Sequence, residues 1–130
     1  METALAPKFA QPEIFDSLLA LDAAGLDALE FGVIGFGPDT AVRDYNALES
    51  KMAGLSRERV IGHPLFTVVA PCMNNFMVAQ RFEDAAAAGL ALDFTLDYVL
   101  TLRMRPVKVQ LRLLAGPHAE RRFVLVNRKP

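Results

Sequence analysis

The first candidate for chemistry is Cys72, the chain's single cysteine. It follows Pro71 and stands shortly before a stretch with helical spacing, and a thiol at a helix N-terminus is favoured as the reactive thiolate. A buried cysteine acting as a small hydrophobic side chain is the alternative, and it is the more common case for a lone cysteine. A thiol-dependent enzyme would need a histidine base. His63 and His118 stand in no recognisable nucleophile signature, so this function ranks last.

The second candidate is the pair Tyr45 and Glu49. In a helix over residues 45–52, at about 100° per residue, the two side chains share one inward face. A carboxyl group among apolar side chains tends to stay protonated, because desolvation penalises its charged form. A neutral carboxyl and a phenol hydroxyl then form two converging donors that suit a buried oxyanion such as a phenolate. The alternative is that Glu49 reaches solvent and Tyr45 only packs. The same helical phase puts Leu48 and Met52 inward, and Asn46, Ser50 and Lys51 outward.

Composition excludes several classes of function. The chain has 130 residues, enough for one domain, and 52% of them are hydrophobic. Fourteen Lys+Arg against 15 Asp+Glu leave a net charge of -1, which argues against a dedicated nucleic-acid binder. No metal-ligand spacing is present, and no apolar run approaches the roughly 18 residues of a membrane span. We therefore expect no metal, no membrane partner and a cytoplasmic location. The paired arginines Arg121-Arg122 and the tail pair Arg128-Lys129 are interpreted as solvated charges.

Helical spacing predicts the elements around these residues. Apolar residues recur every three to four positions over 14–26, which predicts one or two short helices broken near Gly25. Residues 75–88 carry a longer helical pattern that stops at Gly89. Residues 46–58 predict only short helical turns.

Strand patterns account for most of the remaining chain. Residues 31–36, the turn Gly37-Pro38-Asp39 and residues 40–45 predict a hairpin. Three further segments alternate apolar with polar residues, as antiparallel strands with one wet face do: 100–105, 107–113 and 123–126. The order predicts an α+β domain in which helices cross one antiparallel sheet.

The surroundings of these candidates resemble the photoactive yellow protein family. The runs Tyr45-Asn46-Ala47-Leu48-Glu49 and Val69-Ala70-Pro71-Cys72 have that family's residues at that family's spacing. The resemblance extends over most of the chain from about residue 18, and the chain's two tyrosines, Tyr45 and Tyr98, both fall on family tyrosine positions. Further similar runs are Gly25 to Gly32, Val60-Ile61-Gly62, Phe82, Asp97-Tyr98, Met104-Arg105-Pro106 and Val107-Lys108-Val109.

The resemblance implies a PAS fold, a central antiparallel sheet flanked by helices. Residues 1–25 would form an N-terminal arm and helical cap, and residues 26–130 the photosensory domain. It also implies a p-coumaroyl (4-hydroxycinnamoyl) chromophore in thioester linkage to Cys72, with Tyr45 and protonated Glu49 hydrogen-bonded to its phenolate. The positions that would line or gate the pocket are Ala53, Leu55, Tyr98 and Met104.

These roles imply a blue-light photoreceptor, not an enzyme. Light would isomerise the chromophore from trans to cis, and the phenolate would take the proton of Glu49. An unpartnered carboxylate in an apolar interior is costly against a domain stability of about 5–15 kcal/mol. We expect the N-terminal segment, held by one apolar stripe, to loosen in response. The signal would then pass to a separate, unidentified downstream protein, with the chain a monomer or weak dimer.

Two positions depart from the family's pattern. Ala53 stands where the family commonly has threonine, and Leu55 where it often has an arginine over the chromophore. Both remove polar support from the phenolate, so absorption maximum and photocycle rate do not follow from the resemblance. They also keep open an alternative function, a PAS domain that binds a ligand reversibly or a protein partner, without light sensing and with Cys72 free.

Overall fold

A computed structural model of the chain describes residues 7–101 and 105–128. Its centre is a five-stranded sheet in which every neighbouring pair is antiparallel. The strands are β1 (Gly32–Phe36), β2 (Val42–Tyr45), β3 (Leu92–Leu100), β4 (Val107–Ala115) and β5 (Arg122–Asn127). They lie in the order β2-β1-β5-β4-β3. The predicted hairpin, β1 and β2, therefore joins the C-terminal strands through β5, which pairs with β1.

Helices flank this sheet, as the α+β prediction requires. The predicted break near Gly25 is wrong, because the Asp22 side chain accepts the Gly25 N–H at 2.8 Å and begins a second helix before it. The predicted helix over 75–88 begins only at Ala79. The helices are α1 (Ile14–Leu19), α2 (Ala23–Asp27), α3 (Ala47–Ala53), α4 (Arg57–Val60) and α5 (Ala79–Ala88), with a π-helical turn at Leu65–Val69 and a 3-10 turn at Pro71–Met73.

Strand β3 lies earlier in the chain than predicted. Its nine residues pair in register with β4, from Leu92 opposite Ala115 to Leu100 opposite Val107. As an edge strand with exposed residues such as Val99, it lacks the clean alternation of burial on which the prediction relied. Residues 102–104, for which the alternation predicts a strand, lie outside the described residues.

Both faces of the sheet are covered at β1 and β5. Successive strand residues point to opposite faces, and all of 123–126 in β5 are nevertheless buried. The predicted wet face is confirmed at Lys108 and Gln110 of β4, which are exposed. It is wrong at Arg112 and in β5, because the N-terminal segment covers that part of the sheet. The main core consists of Ile34, Phe36, Val42, Tyr45, Val60, Leu65, Phe66, Val69, Ala70, Met73, Val78, Ala79, Phe82, Leu100, Val109, Leu111, Leu113, Ala115, Val124 and Val126. The N-terminal core consists of Ile14, Leu18, Leu26, Leu29, Phe31, Val33, Leu114, Phe123 and Leu125.

Arg112 of β4 attaches the N-terminal segment to the sheet. Its side chain is only 8% exposed and donates from Nε and Nη2 to both carboxylate oxygens of Asp93, at 2.7 Å each. The remaining nitrogen, Nη1, donates to the main-chain oxygens of Phe9 and Gln11, at 2.8 Å each. The segment is thus held by a polar clamp in addition to the apolar stripe that the sequence predicted.

Asn46 joins three elements. It is 2% exposed; its Oδ1 accepts the N–H groups of Val33 and Glu49 at 2.9 and 3.1 Å. Its Nδ2 donates to the carbonyl oxygens of Leu26 and Phe31 at 2.9 and 3.0 Å. The whole hydrogen-bonding capacity of the amide is used. The predicted outward position of Asn46 is wrong, because the helix begins only at the next residue and Asn46 is its extended N-cap.

We expect Arg112→Met to release the N-terminal segment, because both main-chain oxygens lose a charged donor, and such bonds contribute about 1.5–3 kcal/mol. Limited trypsin digestion followed by mass spectrometry should show cleavage after Lys8 roughly tenfold faster than in the unchanged protein. Arg43→Met, which removes an exposed arginine 3.5 Å from Glu120, should leave this rate unchanged. Equal rates for both variants would contradict the clamp.

We expect Asn46→Ala to lower the free energy of unfolding by about 3 kcal/mol or more, because it removes a helix cap and leaves buried main-chain groups without partners. Urea denaturation measures the change. Asn74→Ala, at an exposed position, is the matched control and should shift the free energy by less than about 0.5 kcal/mol. A loss as small for Asn46→Ala would show that Asn46 does not hold these elements together.

Candidate functional site

Tyr45 brings a phenol hydroxyl into the main core. It is the last residue of β2, opposite Ile34 of β1, and is 4% exposed. Burial, reinforced by the negative charge of Glu49 and opposed by Arg128, raises the pKa of the Tyr45 phenol far above its usual range. The hydroxyl makes no hydrogen bond to any residue in the described ranges. A phenol hydroxyl can both donate and accept a hydrogen bond.

Glu49 lies on α3 and is 1% exposed. The Asn46 cap fixes its position, since the side-chain oxygen of Asn46 accepts the Glu49 N–H. The carboxyl packs against Gly32 of β1, where a Cβ would collide with Glu49 Oε1. A glycine at position 32 is therefore what allows a carboxyl group to lie between helix and sheet.

Arg128 is the residue at this site that the sequence prediction missed. Its Nη1 and Nη2 donate to Oε1 and Oε2 of Glu49 at 2.7 and 3.0 Å. The Arg128 side chain is 12% exposed, so its interpretation as a solvated tail charge is wrong. Burial raises the pKa of the Glu49 carboxyl, and the hydrogen bonds and charge of Arg128 oppose the rise without cancelling it.

Cys72 sits in the 3-10 turn Pro71–Met73, half-buried, with a free thiol packed against the main core. Its main-chain oxygen accepts the Tyr98 hydroxyl at 2.5 Å and Asn75 Nδ2 at 3.3 Å. The same Asn75 nitrogen donates to Tyr98 Oη at 2.7 Å. The expected support from a helix N-terminus is wrong, because Cys72 is separated from α5, which begins at Ala79. Instead, the side chains of Tyr98 in β3 and of Asn75 in the following loop hold the turn.

The remaining predicted positions separate into inward and outward groups. Ala53 is buried one turn after Glu49, and Leu55 packs against the main core. Met52 is 48% exposed, so the predicted inward face is wrong at this position: the helix starts two residues after Tyr45 and turns Glu49 and Ala53 inward together. Met104 lies outside the described residues.

The assembled groups define the chemistry that this site can support. Tyr45, Cys72, Leu55 and Tyr98 all contact the main core, and Glu49 acts electrostatically on Tyr45. Hydrogen bonds to an oxyanion are stronger in such an apolar setting than in water. In the described ranges, no three His, Cys, Asp or Glu side chains come together as a metal site would require.

Comparison with known proteins agrees with this geometry. A family model described as PAS fold matches residues 26–127. Photoactive yellow protein from Rhodothalassium salexigens is 30% identical over 93% of this chain and 96% of its own length. The protein of the same name from Halochromatium salexigens is 31% identical over 92% and 95%. The photoactive yellow protein domain of the sensor histidine kinase Ppr from Rhodospirillum centenum superposes with a TM-score of 0.78, at 35% identity over 86% of this chain and 97% of that domain.

These matches confirm the predicted fold and resemblance. The solved neighbour is a sensor module within a histidine kinase, and both curated relatives carry a photoreceptor's name. A search of the described residues finds no helix with the length and apolar character to cross a bilayer. The antiparallel sheet and flanking helices of this chain are those of a PAS domain, and the chain belongs to the photoactive yellow protein family.

Proposed function

We propose that this PAS photoreceptor carries a p-coumaroyl chromophore in thioester linkage to Cys72. The observation that carries the proposal is the position of two groups on one apolar core: the half-buried thiol of Cys72 and the Tyr45 hydroxyl, which has no hydrogen bond to a described residue. A phenolic acid attached through its carboxyl group needs a nucleophile at one end and hydrogen-bond donors at the other. These residues fit such a group.

Each residue has a definite task in this proposal. When bound, the p-coumaroyl group supplies blue-light absorption and trans–cis isomerisation. Cys72 anchors it, while Tyr98 and Asn75 hold the main-chain oxygen of Cys72 and thereby fix the anchor. Tyr45 donates its hydroxyl hydrogen to the phenolate oxygen. Ala53, Leu55 and Tyr98 line the pocket, and Met104 keeps the gating role that the resemblance implies.

Glu49 holds the proton that moves. Because burial raises its pKa, the carboxyl retains a proton to higher pH than an exposed glutamate would, and it can donate a hydrogen bond to the phenolate. Transfer of that proton leaves a carboxylate in a low-dielectric site, with Arg128 as its bound counter-charge. The carboxylate is thus partnered, unlike the unpartnered one expected from the sequence, and the net charge of the site does not change. We infer that the movement of negative charge from the ligand to Glu49 loosens the cap, residues 1–25, from the sensory domain, residues 26–130, and so presents a surface to a downstream protein.

A second candidate function is favoured by Ala53 and Leu55. Ala53 is buried and Leu55 packs against the main core, and apolar side chains at these positions would suit an apolar ligand held reversibly with Cys72 unmodified. Such a sensor would work in the dark. Colour and covalent mass separate the two functions.

We expect the purified protein to turn yellow with activated p-coumarate, to gain the mass of one p-coumaroyl group on Cys72, and to bleach under blue light. Cys72→Ala should gain no mass and no colour. Its thermal midpoint should fall by only a few degrees, about 4 °C or less, because a small half-buried side chain is replaced by a slightly smaller one. A wild-type protein that stays colourless and unmodified would refute the photoreceptor proposal and leave the dark sensor.

We expect Glu49→Gln to keep the pigment but to shift its absorption maximum, because an amide donates a hydrogen bond without a transferable proton. Recovery after bleaching, followed by flash spectroscopy, should change roughly tenfold or more. Glu58→Gln, at an exposed position on α4, is the matched control and should leave both properties unchanged. An unaltered photocycle in Glu49→Gln would mean that Glu49 is not the proton donor.

A further inference from the structure

The pair formed by Glu49 and Arg128 is unusual in its enclosure. The two side chains are 1% and 12% exposed, and both guanidinium Nη atoms bind the carboxyl oxygens. Such two-pronged pairs are short, directional and strong. The carboxyl orientation is therefore set from the end of β5, an element remote in sequence from α3.

The other charged residues that the structure describes around Glu49 do not bind its carboxyl group. On α3 itself, Lys51 is exposed. On α2, Asp27 is already paired with Arg57 at 2.5 Å. From β1, Gly32 brings no charge and the preceding Glu30 is exposed. From β2, Tyr45 is a neutral phenol, as its ordinary pKa already requires, and burial raises that pKa further. Among the described residues, Arg128 is the cation that Glu49 binds.

A count of charges shows what this cation does when a phenol binds beside Glu49. With Arg128 present, a phenolate and a protonated Glu49 sum to zero with the guanidinium, so the site holds one proton without net charge. With a neutral side chain at 128, the same arrangement carries one uncompensated negative charge. Buried uncompensated charge is strongly disfavoured, so the site would take up a second proton and the phenol would become neutral.

We propose that Arg128 is a positioning residue that orients Glu49 and supplies the charge keeping a single proton between Glu49 and a phenolic ligand. The ligand part of this inference rests on the proposed function. The orientation and charge of Glu49 do not, and they are measurable in the protein without pigment.

The first experiment uses pigment-free protein and measures the thermal midpoint between pH 4.5 and pH 8. Folding raises the pKa of the Glu49 carboxyl above its ordinary value of 4.5, so the protonated carboxyl favours the folded state. This contribution to stability is complete below pH 4.5 and is lost as the pH rises through the pKa of the folded state. Arg128→Met removes the group that opposes the rise. The thermal midpoint of Arg128→Met should lie below that of the unchanged protein, and the difference should grow by about 5 °C from pH 4.5 to pH 8.

Three further variants make this pH profile specific. Arg128→Lys should recover part of the lost midpoint, because it restores the charge without the two-pronged geometry. Glu49→Gln should abolish the pH-dependent part of the Arg128→Met effect, because no carboxyl remains to titrate. Arg59→Met, at an exposed position, should match the unchanged protein. A pH-independent deficit in Arg128→Met would overturn the proposal, because a merely structural contact behaves in that way.

The second experiment titrates the absorption of pigmented protein with pH. Arg128→Met should raise the apparent pKa of the pigment phenol by about one unit or more, a tenfold change in its ionisation constant, with Arg128→Lys intermediate. An unchanged pKa overturns the ligand part of the proposal. Failure of pigment to form overturns the proposed function together with that ligand part, whereas the pH profile of the pigment-free protein decides the role of Arg128 toward Glu49 independently.

Discussion

A carboxyl group with 1% exposure is the constraint around which this domain is arranged. Placing it between a helix and a sheet requires space, orientation and a partner. The free-energy cost of burying an unpaired charge exceeds the stabilisation that most single interactions in a protein provide. Gly32 provides the space, Asn46 the orientation and Arg128 the partner. Each comes from a different element, so the geometry of the carboxyl depends on the whole fold.

The strand order explains how these groups meet. β1 pairs with β2 on one side and with β5 on the other, so the end of β2, which bears Tyr45, and the residue after β5 both lie beside the start of β1. Cys72 comes from the separate turn that Tyr98 of β3 supports. The proposed site therefore draws residues from both edge strands of the sheet, Tyr45 from β2 and Tyr98 from β3.

The amino-acid sequence predicts the local features well and the distant ones poorly. The hairpin at Gly37-Pro38-Asp39 follows from its turn residues. The inward position of Glu49 follows from the helical phase, and its burial decides against the alternative that it reaches solvent. The inward face over 45–52 is only partly correct, because Asn46 interrupts the helix before it can include Tyr45. The burial of Arg128 could have been predicted from the strand pattern, because Arg128 follows Val124 and Val126 at alternate positions and both valines belong to the main core. The contact of Arg112 with the N-terminal segment could not be predicted, since the acceptors there are main-chain oxygens 103 and 101 positions away.

That last contact has an evolutionary consequence. The Arg112 guanidinium grips carbonyl oxygens, and every amino acid, proline included, provides one. Replacement of Gln11 by any other residue leaves the acceptor itself in place. The outward side chains of the N-terminal segment can therefore change during evolution while the segment stays attached to the sheet.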